Sequence, residues 1–384
     1  MNRLAIDTVY LKDTLAELLS IASPTGYTDT IVRTAVGELR RLGLEVELTR
    51  RGAIRAKLKG ESPLAARAVI AHLDTIGAQV KYLKPNGRLE LVPVGTWSSR
   101  FAEGARATIF TDKGAYRGTI LPLKSSGHTF NDEIDTQPVA WSNVELRVDA
   151  VVKDDKDLVK LGFAIGDIVA IDPQPEFIDN DFIVSRHLDN KGGTAILFAT
   201  IDALRREKVV PPVDTFFLFS VFEEVGIGGA SVLTDDIAAM VTVDNGTTAP
   251  GQASSEFGVT VAMADESGPF DYHLTQKLVK LCEANDIRYQ KDVFRYYRSD
   301  SAAALQAGHD VRTALITFGV DSSHGYERIH LHALRSIAEL LTAYVASPVE
   351  ISRDKESFGS IAGFPSQPME EADVFPRSDK PAGI

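Results

Sequence analysis

Asp214-Thr215-Phe216-Phe217-Leu218-Phe219-Ser220-Val221-Phe222, followed at once by Glu223-Glu224-Val225-Gly226, is the stretch that decides the fold class. A largely aromatic and aliphatic run of this length predicts a strand covered on both faces, as inside a parallel sheet with helices on either side. The run stops abruptly at two carboxylates and a glycine. Adjacent strand residues point to opposite faces, so Glu223 and Glu224 are expected to do different jobs. Taken alone, a Glu-Glu pair at a strand end is most simply a solvated acidic terminus. The residues that accompany it elsewhere in the chain argue for more.

Working outward, Val9 to Ile21 and Thr28 to Leu42 carry apolar residues at helical spacing, and Pro24-Thr25-Gly26 separates them. Alternating segments near Leu44 to Leu48 and Ile54 to Leu58 precede Ala68-Val69-Ile70-Ala71, a short apolar strand running into His72-Leu73-Asp74. His72 and Asp74 are two apart at a strand end, so both can face one crevice. From about Gly77 to Asp172 the helical period disappears and short alternating segments recur between glycine-rich or polar breaks such as Pro85-Asn86-Gly87 and Asp112-Lys113-Gly114. Helical and buried-strand patterns then resume. The chain therefore reads as an α/β domain with a doubly wound mixed sheet flanked by helices, formed by residues 1–76 and 177–348. Residues 77–176 form an inserted all-β domain of barrel type. Trp97 within it fits a loop or an interface equally well.

Ser185-Arg186-His187-Leu188-Asp189-Asn190-Lys191-Gly192-Gly193 leads into an amphipathic helix, Thr194 to Arg206. Asp189 and Asn190 sit where residues that cap helices or bind ligands are expected. Gly226-Ile227-Gly228-Gly229-Ala230 is a tight loop whose glycines permit close backbone approach; no basic residue follows it in P-loop fashion, so it is not a phosphate cradle. Met240-Val241-Thr242-Val243 ends at Asp244-Asn245-Gly246. A last core strand near Thr313 to Phe318 precedes Gly319-Val320-Asp321-Ser322-Ser323-His324-Gly325-Tyr326-Glu327-Arg328, and a final helix runs from about Leu331 to Val345. Residues 349–384, rich in Pro, Ser and acids beyond Asp354, read as a disordered or draped tail whose removal near Pro348 leaves the core folded.

At 384 residues, with 44% hydrophobic and 24% charged residues, the composition is that of an ordinary globular protein large enough for two domains. A net charge of -12 argues against a nucleic-acid-binding surface. Cys282 is the single cysteine, so no intrachain disulfide is possible, and its context reads as a helix face packed in a core. No apolar run approaches the ~20 residues of a membrane helix, and the first residues lack a signal-peptide core. A cytoplasmic protein without a membrane partner is expected.

His72, Glu223 with Glu224, Asp244 and His324 follow strands or lie in adjacent loops, with Asp189 at a helix start. Side chains beyond the carboxyl ends of strands in an open α/β sheet converge on one crevice. Two histidines with carboxylates and no thiolates suit zinc, cobalt or manganese. One carboxylate can bridge two such ions ~3.5–4 Å apart, and one Glu is then left over for hydrolysis.

The order Ala71-His72-Leu73-Asp74, an inserted β domain, Arg186-His187-Leu188-Asp189-Asn190, Glu223-Glu224-Val225-Gly226-Ile227-Gly228-Gly229-Ala230, Val243-Asp244 and Ser323-His324 resembles the tetrahedral aminopeptidases. That metallopeptidase family includes glutamyl and deblocking aminopeptidases, and the likeness spans about residues 10–347. The resemblance implies a zinc-exopeptidase type of fold, two divalent ions per subunit, usually zinc or cobalt, and removal of N-terminal residues from short peptides. It implies that His72 and Asp244 bind one ion and Glu224 and His324 the other, with Asp189 bridging. Glu223 becomes the general base, and Asp74 orients His72. It further implies a homo-oligomer, from a dimer to a twelve-subunit shell built through the inserted domain.

Several positions depart from the family pattern: Thr75 stands where Glu is usual, Asn245 and Gly246 follow the aspartate ligand, and Gly-Tyr-Glu-Arg follows His324. His330 and His332 are rival ligands for the last place, and His324 is preferred because Ser-His-x-x-Glu is nearer the family's form. His128, His187, His273 and His309 lack such context and read as surface or core residues. The Ser-His-Gly-Tyr-Glu-Arg ending is similar to a branch associated with the osmoprotectant N-acetylglutaminylglutamine amide. A two-metal amidohydrolase or deacylase acting on a small blocked or amidated dipeptide is therefore the alternative, and an inactive oligomeric scaffold a third reading. Endoglucanase activity is disfavoured, because adjacent Glu223 and Glu224 do not by themselves form an opposed carboxylate pair.

Overall fold

The apolar run is a strand, Val213–Ser220, buried at every position, in a computed structural model that describes residues 3–368. It lies inside a nine-stranded mixed sheet. From one edge the sheet runs Glu45–Leu48, Ile54–Leu58, Val213–Ser220, Ser62–His72, Ile237–Thr247, Arg312–Val320, Val259–Asp265 and Gly268–Pro269, and Tyr289–Val293 also pairs with Val259–Asp265. The four strands from Val213–Ser220 to Arg312–Val320 are mutually parallel. Their carboxyl ends therefore open on the same side. Leu188–Arg206 packs across the sheet against Ser62–His72 and Ile237–Thr247, joined by Thr8–Ser20 and Leu331–Ala346. Leu11, Leu15, Ile196, Phe217, Phe219, Phe318 and Leu341 belong to the core between these layers.

The inserted domain is a closed antiparallel barrel of six strands, ordered Gly77–Leu83, Leu89–Val94, Val144–Val148, Gly114–Pro122, Arg106–Thr111 and Ile168–Ile171. It has its own core, which includes Val80, Leu91, Ile109, Ile120, Leu146 and Val169. Trp97 belongs to that core: it is buried, meets Trp141 edge to face at 4.7 Å, and donates its indole N–H to the Gly77 carbonyl at 2.9 Å. Cys282 is buried on the helix Tyr272–Ala284. No helix among the described residues is long and apolar enough to cross a membrane.

Two local features differ from the sequence expectation. Glu223–Val225 is a single 3-10 turn, so the two glutamates diverge through the turn and not through strand alternation. Glu327–His330 is a short strand paired antiparallel with Phe182–Ser185, with Ser185 opposite Glu327. Its four residues lie between a polar loop and a helix, too short a run to show a period. The first residues of the expected tail are packed: Ile351 is buried and Asp354 pairs with Arg312 at 2.9 Å. Residues 369–384, part of the expected tail, lie outside the described residues.

Truncation after Pro348 thus removes packing as well as linker. The lost Ile351 burial and Arg312–Asp354 pair should destabilise the chain by about 3 kcal/mol. A fall in thermal midpoint of roughly 5 °C, read by calorimetry, is the expected result. An unchanged midpoint would show that this segment contributes nothing to the core.

Candidate metal centre

Register places the polar groups. Ser220 is the strand partner of His72, so Glu223 and Glu224 emerge just beyond the end of the His72 strand. Asp244 lies within Ile237–Thr247 on the other flank, and His324 follows Arg312–Val320. Asp189 and Asn190 are non-helical residues at the head of Leu188–Arg206, joined by a cis peptide bond. They divide the two roles expected for the pair. Asn190 caps the helix, its Oδ1 accepting from Gly193 N at 3.0 Å and its Nδ2 donating to the Val243 carbonyl at 2.8 Å. Asp189 turns into the cluster.

Asp189 Oδ1 lies 3.2 Å from His72 Nε2, and its Oδ2 lies 3.2 Å from His324 Nε2. Glu224 Oε2 is 3.3 Å from His324 Nε2, whereas Glu223 Oε2 is 3.6 Å and Asp244 Oδ1 3.9 Å from His72 Nε2. The cluster therefore has two ends, one at each imidazole, joined by one carboxylate. His330 is elsewhere, with its Nε2 on the Asn180 carbonyl and its Nδ1 accepting from His332 N.

Both imidazoles are oriented from behind. His72 Nδ1 donates to the Asp74 backbone carbonyl and His324 Nδ1 to the Thr96 carbonyl, each at 2.9 Å. A carbonyl only accepts, so Nδ1 carries the hydrogen in each ring and Nε2 faces the carboxylates. Histidine ligands to metals are held in this way. The carboxylates themselves are crowded: burial and the Asp189 charge push the Asp244 carboxyl up to about 8. Burial opposes protonation of His324, but Glu224 and Asp189 override it and raise its pKa to about 12. A buried set of acids around two imidazoles is short of positive charge, and divalent cations supply it. Among the described residues, His72, Asp189 and Glu224 bring ligand atoms within 4.8 Å of one another. The donors of His72, Asp189 and Glu224 thus fit a metal ion, and Asp244 and His324 stand beside them.

Asp74 stands behind His72 and also reaches the glutamate turn. Its backbone, not its carboxylate, makes the hydrogen bond to His72; the carboxylate stands 3.6 Å from the ring. The carboxylate instead accepts from Thr25 Oγ1 at 2.6 Å and from the backbone N–H groups of Glu223 and Glu224 at 3.2 and 3.3 Å. It holds the glutamate turn. Asp74→Asn puts an amide donor among those donors, and we expect a 10- to 100-fold loss of turnover or metal affinity, as for other residues that orient ligands. Kinetics with parallel metal analysis would check this, and wild-type values for both would remove the role.

Sequence reasoning assigned no role to Glu327 and placed Asn245 only next to the aspartate ligand, without a partner. Glu327, buried, accepts from Asp189 N at 3.1 Å and from His324 N at 2.9 Å, and its spacing of three from His324 was the available signal. Asn245 Nδ2 donates to Asp189 Oδ2 at 2.6 Å. His187, read as a surface or core residue, is buried and donates Nε2–H to the Ile171 carbonyl at the barrel's edge. The glycine loop is explained by contact: a Cβ on Gly229 would lie 2.4 Å from the Asp300 backbone carbonyl oxygen. A cavity of about 960 Å³ opens over the cluster, walled by the glutamate turn, Thr96 from the barrel and residues 294–299.

Residues 52–340 match the sequence profile of the M42 glutamyl aminopeptidases. The chain belongs to the M42 family. As a member of a peptidase family it is a hydrolase of peptide bonds. Among M42 relatives, a putative aminopeptidase of Bacillus subtilis, YhfE, is 38% identical over 336 residues, 87% of this chain and 97% of that protein. The M42 fold recurs in solved structures. Aminopeptidase APDkam598 from Desulfurococcus kamchatkensis superposes with a TM-score of 0.79 at 21% identity, covering 88% of this chain and 95% of that one. The TET1 peptidase of Pyrococcus horikoshii, described as assembling into a tetrahedron or an octahedral shell, gives 0.77 at 19% identity, covering 87% and 99%.

Proposed function

We propose that the chain is a dinuclear metal-dependent aminopeptidase that removes N-terminal residues from short peptides. The observation that carries this reading is Asp189, whose two oxygens are divided equally between His72 and His324. His72 and Asp244 would hold one ion and Glu224 and His324 the other, with Asp189 shared; zinc or cobalt suits the donors, and manganese is compatible. Bound there, the pair supplies a water of lowered pKa and polarises a carbonyl. Glu223, more exposed to the cavity than Glu224, is placed to hold the proton of an attacking water and return it to the leaving amine.

Arg295 and Arg298 line the cavity without an ion-pair partner among the described residues. They offer a partner for a free carboxylate, which favours unblocked short peptides over a C-amidated dipeptide of the osmolyte type. We also infer a homo-oligomer, between a dimer and a dodecamer. Zinc- or cobalt-loaded protein given free, N-acetylated and C-amidated short peptides tests the reading by mass spectrometry. Stepwise loss of N-terminal residues from free peptides is expected. Cleavage confined to acetyl or amide groups would move the protein to the deacylase reading, and no cleavage at all would favour a scaffold.

A further inference from the structure

The cavity wall Phe294-Arg295-Tyr296-Tyr297-Arg298-Ser299 contains a side chain that the roles above leave unused. Tyr296 is 92% exposed, but Tyr297 turns inward. Its ring meets Phe294 at 5.3 Å and packs on the small cluster of Ala262, Phe270 and Leu315. Its carbonyl accepts from Glu266 N at 3.0 Å. Ring and backbone are thus both fixed, and the hydroxyl is delivered to one place.

That place is beside the Asp244 carboxylate, within the fields of Asp189 and Glu223. The hydroxyl oxygen is shielded from solvent and leans on the Asp244 carboxylate, but among the described residues it completes no hydrogen bond of acceptable geometry. A buried hydroxyl without a partner is costly and rare, and such groups concentrate where a ligand or a reacting atom completes them.

We propose that Tyr297 is a catalytic residue whose hydroxyl donates a hydrogen bond to the scissile carbonyl oxygen as negative charge develops there. The proposal rests on the peptidase reading above. The substrate's amino terminus carries only N–H donors and suits the cavity's carboxylates, whereas its carbonyl oxygen is the atom that needs a donor. A phenol, protonated near neutral pH, supplies one. The water oxygen's electron pair forms the new C–O bond while Glu223 holds the water's proton. The carbonyl π pair moves onto the oxygen facing Tyr297. On collapse that pair returns, the C–N bond breaks, and nitrogen leaves with the proton from Glu223. Tyr297 keeps its own proton throughout and acts only on the charged state, which is the differential binding that accelerates a reaction.

Tyr297→Phe retains the ring and its packing and removes only the hydroxyl. In the full-length, metal-loaded protein we expect kcat to fall about 100-fold, the scale of losing one oxyanion donor, with KM within about threefold of wild type. Metal content and thermal midpoint should not change. Affinity for a phosphinate pseudo-dipeptide, whose tetrahedral oxygens imitate the charged state, should fall by a similar factor, while affinity for free leucine is kept. Unchanged kcat, or a fall in kcat that follows lost metal, would overturn the proposal, the second outcome reducing Tyr297 to a support for Asp244. Wild-type protein inert towards every peptide would count against the peptidase reading instead. The phosphinate comparison would still decide Tyr297, because equal affinity in the two proteins overturns its role.

Discussion

Glu223→Gln protein is expected to bind its ions normally and to lose turnover by about 10³-fold, the scale of a positioned general base. Gln keeps the length and the polarity of the side chain but cannot take up a proton. The backbone of the turn is unaffected, because Asp74 grips the N–H of residue 223 and not its side chain. Glu223 is also the carboxylate of the cluster most open to the cavity, its side chain 14% exposed against 5% for Asp189, 3% for Asp244 and 2% for Glu224. Its loss should therefore leave metal content near wild type. The measurement is kcat on a free peptide with metal content determined on the same preparation. Turnover within tenfold of wild type would transfer the base role elsewhere, and lost metal would make Glu223 a ligand.

Asp189→Ala should be the mirror image, failing at metal binding before it fails at chemistry. The substitution strips both imidazoles of their shared oxygen partner and leaves Asn245 Nδ2 without its 2.6 Å acceptor. Losing a shared ligand should weaken both sites, each by more than the 10- to 100-fold typical of residues that merely orient ligands. Wild-type protein treated with a chelator should lose activity and recover it when zinc or cobalt is returned. The Asp189→Ala protein should recover neither metal nor activity. Two tightly held ions in that variant would rule out the bridging arrangement.

Much of this was legible in the sequence because the signals were covalently local. The apolar run ending at Glu223 required a strand buried on both faces, and His72, Asp244 and His324 each lay at or just past a recognisable strand. Parallel packing then forced their convergence. The groups that escaped depend on tertiary register. Glu327 reaches Asp189 only because a four-residue strand aligns it opposite Ser185. Tyr297 sits in a polar, aromatic segment without a period, and nothing local distinguishes it from exposed Tyr296. The second task of Asp74 also escaped: its carboxylate accepts from the N–H groups of the glutamate turn, which only the packing of two strand ends brings within reach.

The barrel contributes two hydrogen bonds that bear on its standing. Thr96 supplies the carbonyl behind His324, and the amide of Ile76, at the barrel's entrance, donates to Glu224 Oε1 at 3.0 Å. Both end on residues assigned to the same ion. Free energy exchanged through such contacts is reciprocal: whatever stiffens the junction favours the ion, and the ion stiffens the junction by the same amount. Were subunits to pack through the barrel and ions to load as proposed, the two would be faces of one equilibrium, and subunit concentration would become a variable in how tightly a single chain holds metal.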